Sequence, residues 1–519
     1  VGETAVQAIE LARRNRPKDR LTVRYVESSA GERLTLSPLL AQLRPFFLQQ
    51  PIAIYLVGGA VRDALLGKPS YDLDFVVAKD AIKLAKRLGG FLGAPAYALD
   101  EERDTGRVVL EEAGTMLDIA RFRGADLDAD LRDRDFTLNA MALPATAVFS
   151  SSIIDPCNGQ ADMGAKRLRL THPQAVSDDP IRALRGVRMA LKFGLTIDDQ
   201  TANQLTAAAP LLSRISNERI RDELFKLLQT AVPDQAIRQL ANLNLLPRVL
   251  PTLASLADID QSPPHHENVL EHTISVLRWL VVLENLLKQG EDTNGELNTL
   301  SVAIRPFAAQ LNTHLERQVE REVNGRLLLR LGALFHDIGK GETQTVDENG
   351  RVRFLGHDKA GAKLAANRLH QLAVSNKSGK FVQTVVANHM RPLLLARDTA
   401  ESLSGRAIHR YFRATKEAGL DVGLLALAAH LATYNGIGEA DVWERLCKTI
   451  STLFDNFFNK HQETISPAPF VDGHDLMKTL AIAPGPEIGR LLRLIAEAQA
   501  AGEIQTREEA IQFALVSRQ

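Results

Sequence analysis

The spacing of apolar residues changes twice along the chain. Residues 1 to 37 are polar with little pattern and predict a loosely packed arm. From 38 to 165, short β-rich runs mix with helical spacing. Ile52–Val57 and Tyr71–Val77 predict strands, with a short helix over Ala60–Leu66 between them, closed by Gly67. Val108–Leu110, Met116–Ala120 and Ala140–Leu143 predict further strands of an α/β head. From about 166 a helical period dominates almost to the end, so the chain as a whole is expected to be α+β. Ser262-Pro263-Pro264 and Ser466-Pro467-Ala468-Pro469 read as joints, and no internal repeat or low-complexity tract is evident.

The break between the first two predicted strands carries chemistry. Gly58 and Gly59 let the backbone approach a ligand closely, and the helix that follows favours a phosphate at its N-terminus. Asp72 and Asp74 stand two apart on the second predicted strand and so share a face. Two hard carboxylates side by side suit Mg²⁺, and paired Mg²⁺ ions drive in-line attack at phosphorus. Alone, a Gly-Gly pair is usually a turn and an Asp-x-Asp a strand end in water. Strand, Gly-Gly, helix and Asp-x-Asp in succession favour the phosphate reading.

Composition narrows the class. The chain has 519 residues, enough for several domains, with ordinary globular contents of 45% apolar and 24% charged residues. Two distant cysteines, Cys157 and Cys447, make neither a disulfide framework nor a Cys-based zinc site, so a reducing compartment is the default. No run is long and apolar enough to span a bilayer and the first residues show no signal-peptide pattern, so a cytoplasmic protein without a membrane partner is expected. The chain opens on Val1 rather than Met, which leaves room for residues upstream. A formal net charge of −1 does not advertise an RNA-binding protein. Locally, however, Lys166, Arg167, Arg169, Arg182, Arg185, Arg188 and Lys192 face only Asp178 and Asp179 between Met163 and Lys192, a basic stripe suited to phosphate contacts.

The run from Tyr55 to Val77 resembles the first motif of the polymerase-β-like nucleotidyltransferases. More narrowly, it is similar to that of the bacterial-type (class II) tRNA CCA-adding enzymes and their poly(A) polymerase relatives. Three further stretches follow in the family's order. Met116–Ala120 places Asp118 where the family has a third metal-site carboxylate. Arg134-Asp135-Phe136-Thr137-Leu138-Asn139-Ala140 closely matches the family's Arg-Asp-Phe-Thr-Ile-Asn-Ala, which contacts ribose and phosphates; Asp133 stands where many relatives carry another basic residue. Asp178-Asp179-Pro180-Ile181-Arg182 resembles the family's Glu-Asp-x-x-Arg. The resemblance makes Asp179 and Arg182 a protein template for the incoming base, with Arg185 and Arg188 supporting it or binding RNA phosphate. A carboxylate beside a guanidinium complements the donor–acceptor edge shared by cytosine and adenine. Asp155–Gly159 and Ser216–Leu224 resemble structural motifs of the family's neck.

The second half resembles the HD phosphohydrolases. His336-Asp337 lies in Leu334–Lys340, with His272 upstream and His357 and His389 downstream. Imidazoles and a carboxylate suit Mn²⁺, Fe, Ni²⁺ or Zn²⁺. The late aspartate that completes the set in relatives aligns with Ala429, so one ligand is missing.

These resemblances imply an arm at 1–37, a polymerase-β-like head at 38–165, a helical neck at 166–255, an HD domain at 256–435 and a helical tail at 436–519. They imply addition or repair of the 3′-terminal CCA of tRNA from CTP and ATP. Asp72, Asp74 and Asp118 would be catalytic around two Mg²⁺, and Gly58, Gly59 and Arg62 would cradle the triphosphate. Only Arg121 to Asp133 separates the third carboxylate from the Arg-Asp-Phe-Thr motif, and in the family a shortened connection goes with enzymes that add only CC. A poly(A) polymerase on the same scaffold is the alternative, and an HD phosphohydrolase with an inactive head is a second. No oligomeric state follows from the sequence.

Overall fold

The structure, a computed structural model, describes residues 31–110, 115–289, 297–398 and 403–518. Most of the expected N-terminal arm lies outside them. The chain divides into two compact units, Val1–Leu212 and Ser213–Gln519.

The first unit is built on a six-stranded mixed sheet in the order β3-β4-β5-β2-β1-β6. Its strands are β1 Ile54–Val57, β2 Leu73–Val77, β3 Ala96–Asp100, β4 Thr105–Leu110, β5 Thr115–Arg121 and β6 Ala142–Pro144. All neighbours are antiparallel except β2 and β5. A parallel pair needs a crossover, supplied here by helix Ala81–Leu92 and the β3–β4 hairpin. That helix buries Ala81, Leu84, Ala85, Leu88 and Gly89, the spacing of one helical face. It lies so close to the sheet that a Cβ on Gly106 would stand 2.5 Å from that of Ala85. The main core, including Leu56, Phe75, Leu117 and Ile119, fills this side of the sheet. A smaller cluster of Val57, Val76, Leu131 and Ala142 lies apart from it.

The division at Leu212 falls inside the segment 166–255 expected to form a single neck. The reason is local packing. Helix Arg182–Phe193 contacts the Arg-Asp-Phe-Thr segment: a Cβ on its Gly186 would stand 3.0 Å from the Phe136 ring. The start of the presumed neck therefore packs on the Arg-Asp-Phe-Thr segment of the first unit.

The second unit is almost wholly helical, including Asn217–Leu228, Val269–Gln289, Gly325–Phe335, His357–Gln371, Asn376–Asn388 and Gly419–Tyr434. Gly419–Tyr434 is apolar on every side and is buried from Gly419 through Ala432, as a central helix must be. The final helices Gly473–Leu480, Pro486–Ala500 and Arg507–Ser517 enclose a core of their own around Leu476, Leu491, Ile495 and Ala510.

Candidate active site

One line of registered neighbours sets the charges of the head. Arg107 on β4 pairs with Asp118 on β5, Asp118 with Asp74 on β2, Asp74 with Val57 on β1, and Val57 with Ala142 on β6. Registered residues share a sheet face. Leu117 and Ile119 on β5, and Leu73 and Phe75 on β2, are buried in the core, which sends Asp118 and Asp74 to the opposite face. The second strand starts at Leu73 rather than Tyr71, so Asp72 precedes it on exposed chain. Burial, then the like charges of Asp72 and Asp118, push the Asp74 carboxyl up to about 6, against the pull of Arg134 and Arg107. A divalent cation relieves that repulsion, and hard oxygen donors fit Mg²⁺.

Asp118 is held differently. Nε and Nη2 of Arg107 reach Oδ1 and Oδ2 of Asp118, each at 2.7 Å, a two-pronged charge pair. These hydrogen bonds raise the Arg107 pKa. The expected third metal carboxylate thus stands beside Asp74 with both oxygens engaged by a guanidinium.

Gly58 takes φ 70° and ψ −131°, a backbone that residues with a Cβ rarely adopt. A Cβ there would stand 3.2 Å from Nη1 of Arg134, and one on Gly59 3.3 Å from Nη2 of Arg62. Two guanidinium groups therefore line the Gly-Gly turn. Arg62 is buried, donates to Oδ1 of Asn139 at 2.6 Å, and lies 4.2 Å from the centre of the Phe193 ring. The Asn139 amide donates to Oδ1 of Asp135 at 2.9 Å, and Arg185 donates to Oδ2 of Asp135 at 2.8 Å. Burial opposes the ionised Asp135, but the Arg185 charge and these hydrogen bonds outweigh it and lower its pKa. Arg62, Asn139, Asp135 and Arg185 thus form one connected chain from the Gly-Gly turn to helix Arg182–Phe193.

Arg182 faces inward. Its guanidinium donates to the carbonyls of Asp133 at 2.9 Å, Ala175 at 3.2 Å and Arg134 at 3.3 Å. The Asp179 carbonyl accepts from the Arg182 backbone N–H at 3.0 Å. Much of the expected basic stripe is likewise engaged within the fold: Arg167 and Arg169 both pair with the fully buried Asp162. Arg188 shares the helix of Arg182 and Arg185.

The second unit brings His272, His336, Asp337, His357 and His389 together. Two triads, His272–His336–Asp337 and Asp337–His357–His389, each hold their ligand atoms within 4.8 Å of one another. Oδ2 of Asp337 is 3.1 Å from Nε2 of His336 and 3.7 Å from that of His272; Oδ1 is 3.3 Å from Nε2 of His357 and 3.7 Å from that of His389. Nδ1 of His336, His357 and His389 donates to the carbonyls of Ala333, Phe354 and Val386 at 2.7–2.8 Å. That tautomer leaves the Nε2 lone pairs converging, the arrangement metal-ligating histidines use. Nε2 of His336 is buried without a hydrogen bond. Burial keeps His272 well below its usual pKa and His389 down to about 3, so both are neutral. Burial also lowers His357, but the hydrogen bond and charge of Asp337 outweigh it and raise its pKa. The neutral imidazoles of His272 and His389 beside the ionised Asp337 carboxylate fit a divalent transition metal. Ala429 is buried in helix Gly419–Tyr434, and the neighbouring His430 stacks on Trp443.

Several residues that define these sites escape the sequence reading. Arg107 is found only through strand register. Asp130, buried and 3.1 Å from Nη2 of Arg134, has the signal of standing four residues ahead of it. Lys340, whose amine lies 2.7 Å from Oδ2 of Asp337 and 2.6 Å from Oε1 of Gln261, has the signal of standing three residues after the aspartate.

Together the paired aspartates on a mixed sheet, the guanidinium-lined turn and the buried histidine cluster define a nucleotidyltransferase-type head joined to an HD-type helical unit. Family models agree. The poly(A) polymerase head domain matches residues 54–169, and a probable RNA- and SrmB-binding site of polymerase A matches 194–256. The HD domain matches 269–418, and a putative tRNA nucleotidyltransferase domain 2 matches 460–514. An A-adding tRNA nucleotidyltransferase of Deinococcus radiodurans is 31% identical over 480 residues, covering 91% of this chain and 96% of the relative. A CC-adding tRNA nucleotidyltransferase of Thermus thermophilus is 32% identical over 480 residues, covering 91% and 95%. A solved CCA-adding enzyme in its apo form shares the fold with a TM-score of 0.60 at 20% identity, over 92% of this chain and 93% of the other. The chain belongs to the bacterial-type tRNA nucleotidyltransferase family of CCA-adding enzymes that carry an HD domain. These relatives support the tRNA reading and not the poly(A) polymerase alternative.

Proposed function

We propose that this enzyme adds the two cytidines of the CCA end to tRNA, using CTP, and leaves the terminal adenosine to a partner enzyme. Asp72 and Asp74 would hold two Mg²⁺, which would supply charge stabilisation as the tRNA 3′-OH displaces pyrophosphate from the α-phosphate of CTP. Gly58 and Gly59 allow close approach of the triphosphate, with Arg62 and Arg134 supplying positive charge beside it. Asp135 and Asn139 fix the turn through their shared hydrogen bond, and Arg185 ties both to the helix behind. Asp118 acts through Arg107 and through its charge on Asp74. Arg182 positions the segment from Asp133 to Asp135 from behind, and Asp179, three residues before it, remains the candidate for reading the base edge.

The observation that carries the CC assignment is the short, well-tied connection from β5 to Arg134. Asp126 caps its helix Leu127–Arg132 by accepting from the Ala129 N–H at 2.9 Å. Asp130 accepts from the Arg123 N–H at 3.0 Å and from Arg134. Addition of A alone is the second reading, favoured by the Deinococcus relative. Extension of tRNA transcripts ending before CCA and of transcripts ending in CC, with CTP and ATP together, separates them. Products that stop at CC support the assignment. Products ending in CCA refute the split activity, and extension confined to transcripts already ending in CC establishes the second reading.

In the helical unit, His272, His336, Asp337, His357 and His389 would hold a divalent transition metal, with Asp337 shared between the two triads. The intact aspartate pair and hydrogen-bond chain of the head speak against a phosphohydrolase with an inactive head.

A further inference from the structure

The helical unit contains a cavity of about 460 Å³ that neither the head chemistry nor the histidine cluster uses. It has the size of a small-molecule site, for which about 300–1,000 Å³ is common. Its walls come from the chain after helix Ala308–Glu316, from helix Asn376–Asn388 and from the turn after helix Gly405–Thr415. Four cations line it, Arg317, Lys377, Lys380 and Lys416, against one anion, Glu417. Among the described residues none of the three lysine amines has an ion-pair partner. Lys377, Lys380, Phe381 and Thr384 follow one another at the spacing of a single helical face, which turns cations and a ring into the same space. Phe381 is half-buried, and the Arg317 guanidinium lies 5.4 Å from its ring centre. Lys416 is held at φ 50° and ψ −128°, a backbone that a residue with a Cβ adopts only when its surroundings impose it. Strain of this kind gathers at ligand sites.

A ring and guanidinium for stacking, ringed by unpaired ammonium groups, match a flat aromatic ligand that carries phosphate. We propose that this cavity is a second nucleotide site, in which the base of a mononucleotide stacks on the Phe381–Arg317 pair and its phosphates meet Lys377, Lys380 and Lys416. The site is independent of the reaction assigned to the head and changes no covalent bond.

Equilibrium dialysis of radiolabelled CTP, the nucleotide assigned to the head, against the full chain with Mg²⁺ tests it. The expected result is two CTP bound per chain. The double charge reversal Lys380→Glu and Lys416→Glu, both at exposed positions, should weaken one class about 10-fold or more and leave tRNA extension intact. Phe381→Leu keeps an apolar side chain of similar size and should weaken the same class without loss of thermal stability. Arg134→Ala should weaken only the other class. A single CTP per chain in the unaltered protein, or two undiminished classes in the lysine variant, overturns the proposal. Loss of binding to a single-stranded oligonucleotide in the lysine variant, with only one CTP site throughout, also overturns it and makes the surface an RNA contact. Two CTP sites in a protein that extends no tRNA would leave this site standing and remove the reaction assigned to the head.

Discussion

At Asp74, burial and two neighbouring carboxylates hold the group near the pH at which proteins work. A carboxyl raised from 3.8 to about 6 stabilises the fold fully below its unfolded value, and that contribution is lost as pH rises through about 6. In metal-free protein Asp74→Asn should therefore raise stability above pH 6, by at most about 3 kcal/mol, with the gain fading as pH falls toward 4. Mg²⁺ should stabilise the unaltered protein and not the variant. Thermal melts across pH with and without Mg²⁺ check both, and a pH-independent difference would contradict this electrostatic picture. Arg182 makes a different demand. Arg182→Ala leaves the carbonyls of Asp133, Arg134 and Ala175 without this donor and should cost about 2–4 kcal/mol in denaturant unfolding. Arg182→Lys should recover little, because one ammonium cannot fork to three acceptors. Unchanged stability in Arg182→Ala, with loosened choice between C and A, would return this residue to the base template.

Among the elements, those with a clean period were legible. The alternation of β5 placed Asp118 opposite Leu117 and Ile119, and the Gly-Gly break located the turn between β1 and β2. Asp72 was assigned to a strand because alternation carries no mark of where a strand begins. The cations of helix Arg182–Phe193 read as a stripe free for phosphate contacts because their partners lie far back in sequence: Asp135 for Arg185, and backbone carbonyls, which no composition reveals, for Arg182. Arg107 was missed for a related reason, since it meets Asp118 only through the register of β4 on β5. The histidines were legible through the order that the HD resemblance supplies, whereas Lys340, within the same motif, carried no mark of its contact with Asp337. If the cluster holds a metal through lone pairs on Nε2, His336→Ala should abolish bound transition metal in elemental analysis. It should also leave tRNA extension within about 3-fold, as the two units carry separate chemistry. Undiminished metal content would contradict the ligand assignment.

At the scale of the whole molecule, composition was nearly silent: a net charge of −1 hid an RNA-handling family because acidic and basic residues balance across 519 positions. Ordered motifs carried the family instead, and relatives about a third identical over 91% of the chain bear it out. The head family model ends at 169, while the first compact unit runs on to Leu212 and takes in helix Arg182–Phe193; helical period alone does not mark whether such a helix packs with the head or with a separate helical unit. The central claim is that Asp72, just before β2, and Asp74 on it carry nucleotide transfer to tRNA. Its most direct test is incorporation of labelled CMP into a tRNA transcript lacking CCA, by the unaltered protein and by Asp72→Ala, with tRNA binding measured in parallel. The expected result is incorporation by the unaltered protein and a loss of about 10³-fold or more in the variant, with tRNA affinity kept, because one carboxylate cannot organise both metals. Undiminished incorporation by Asp72→Ala would contradict the account.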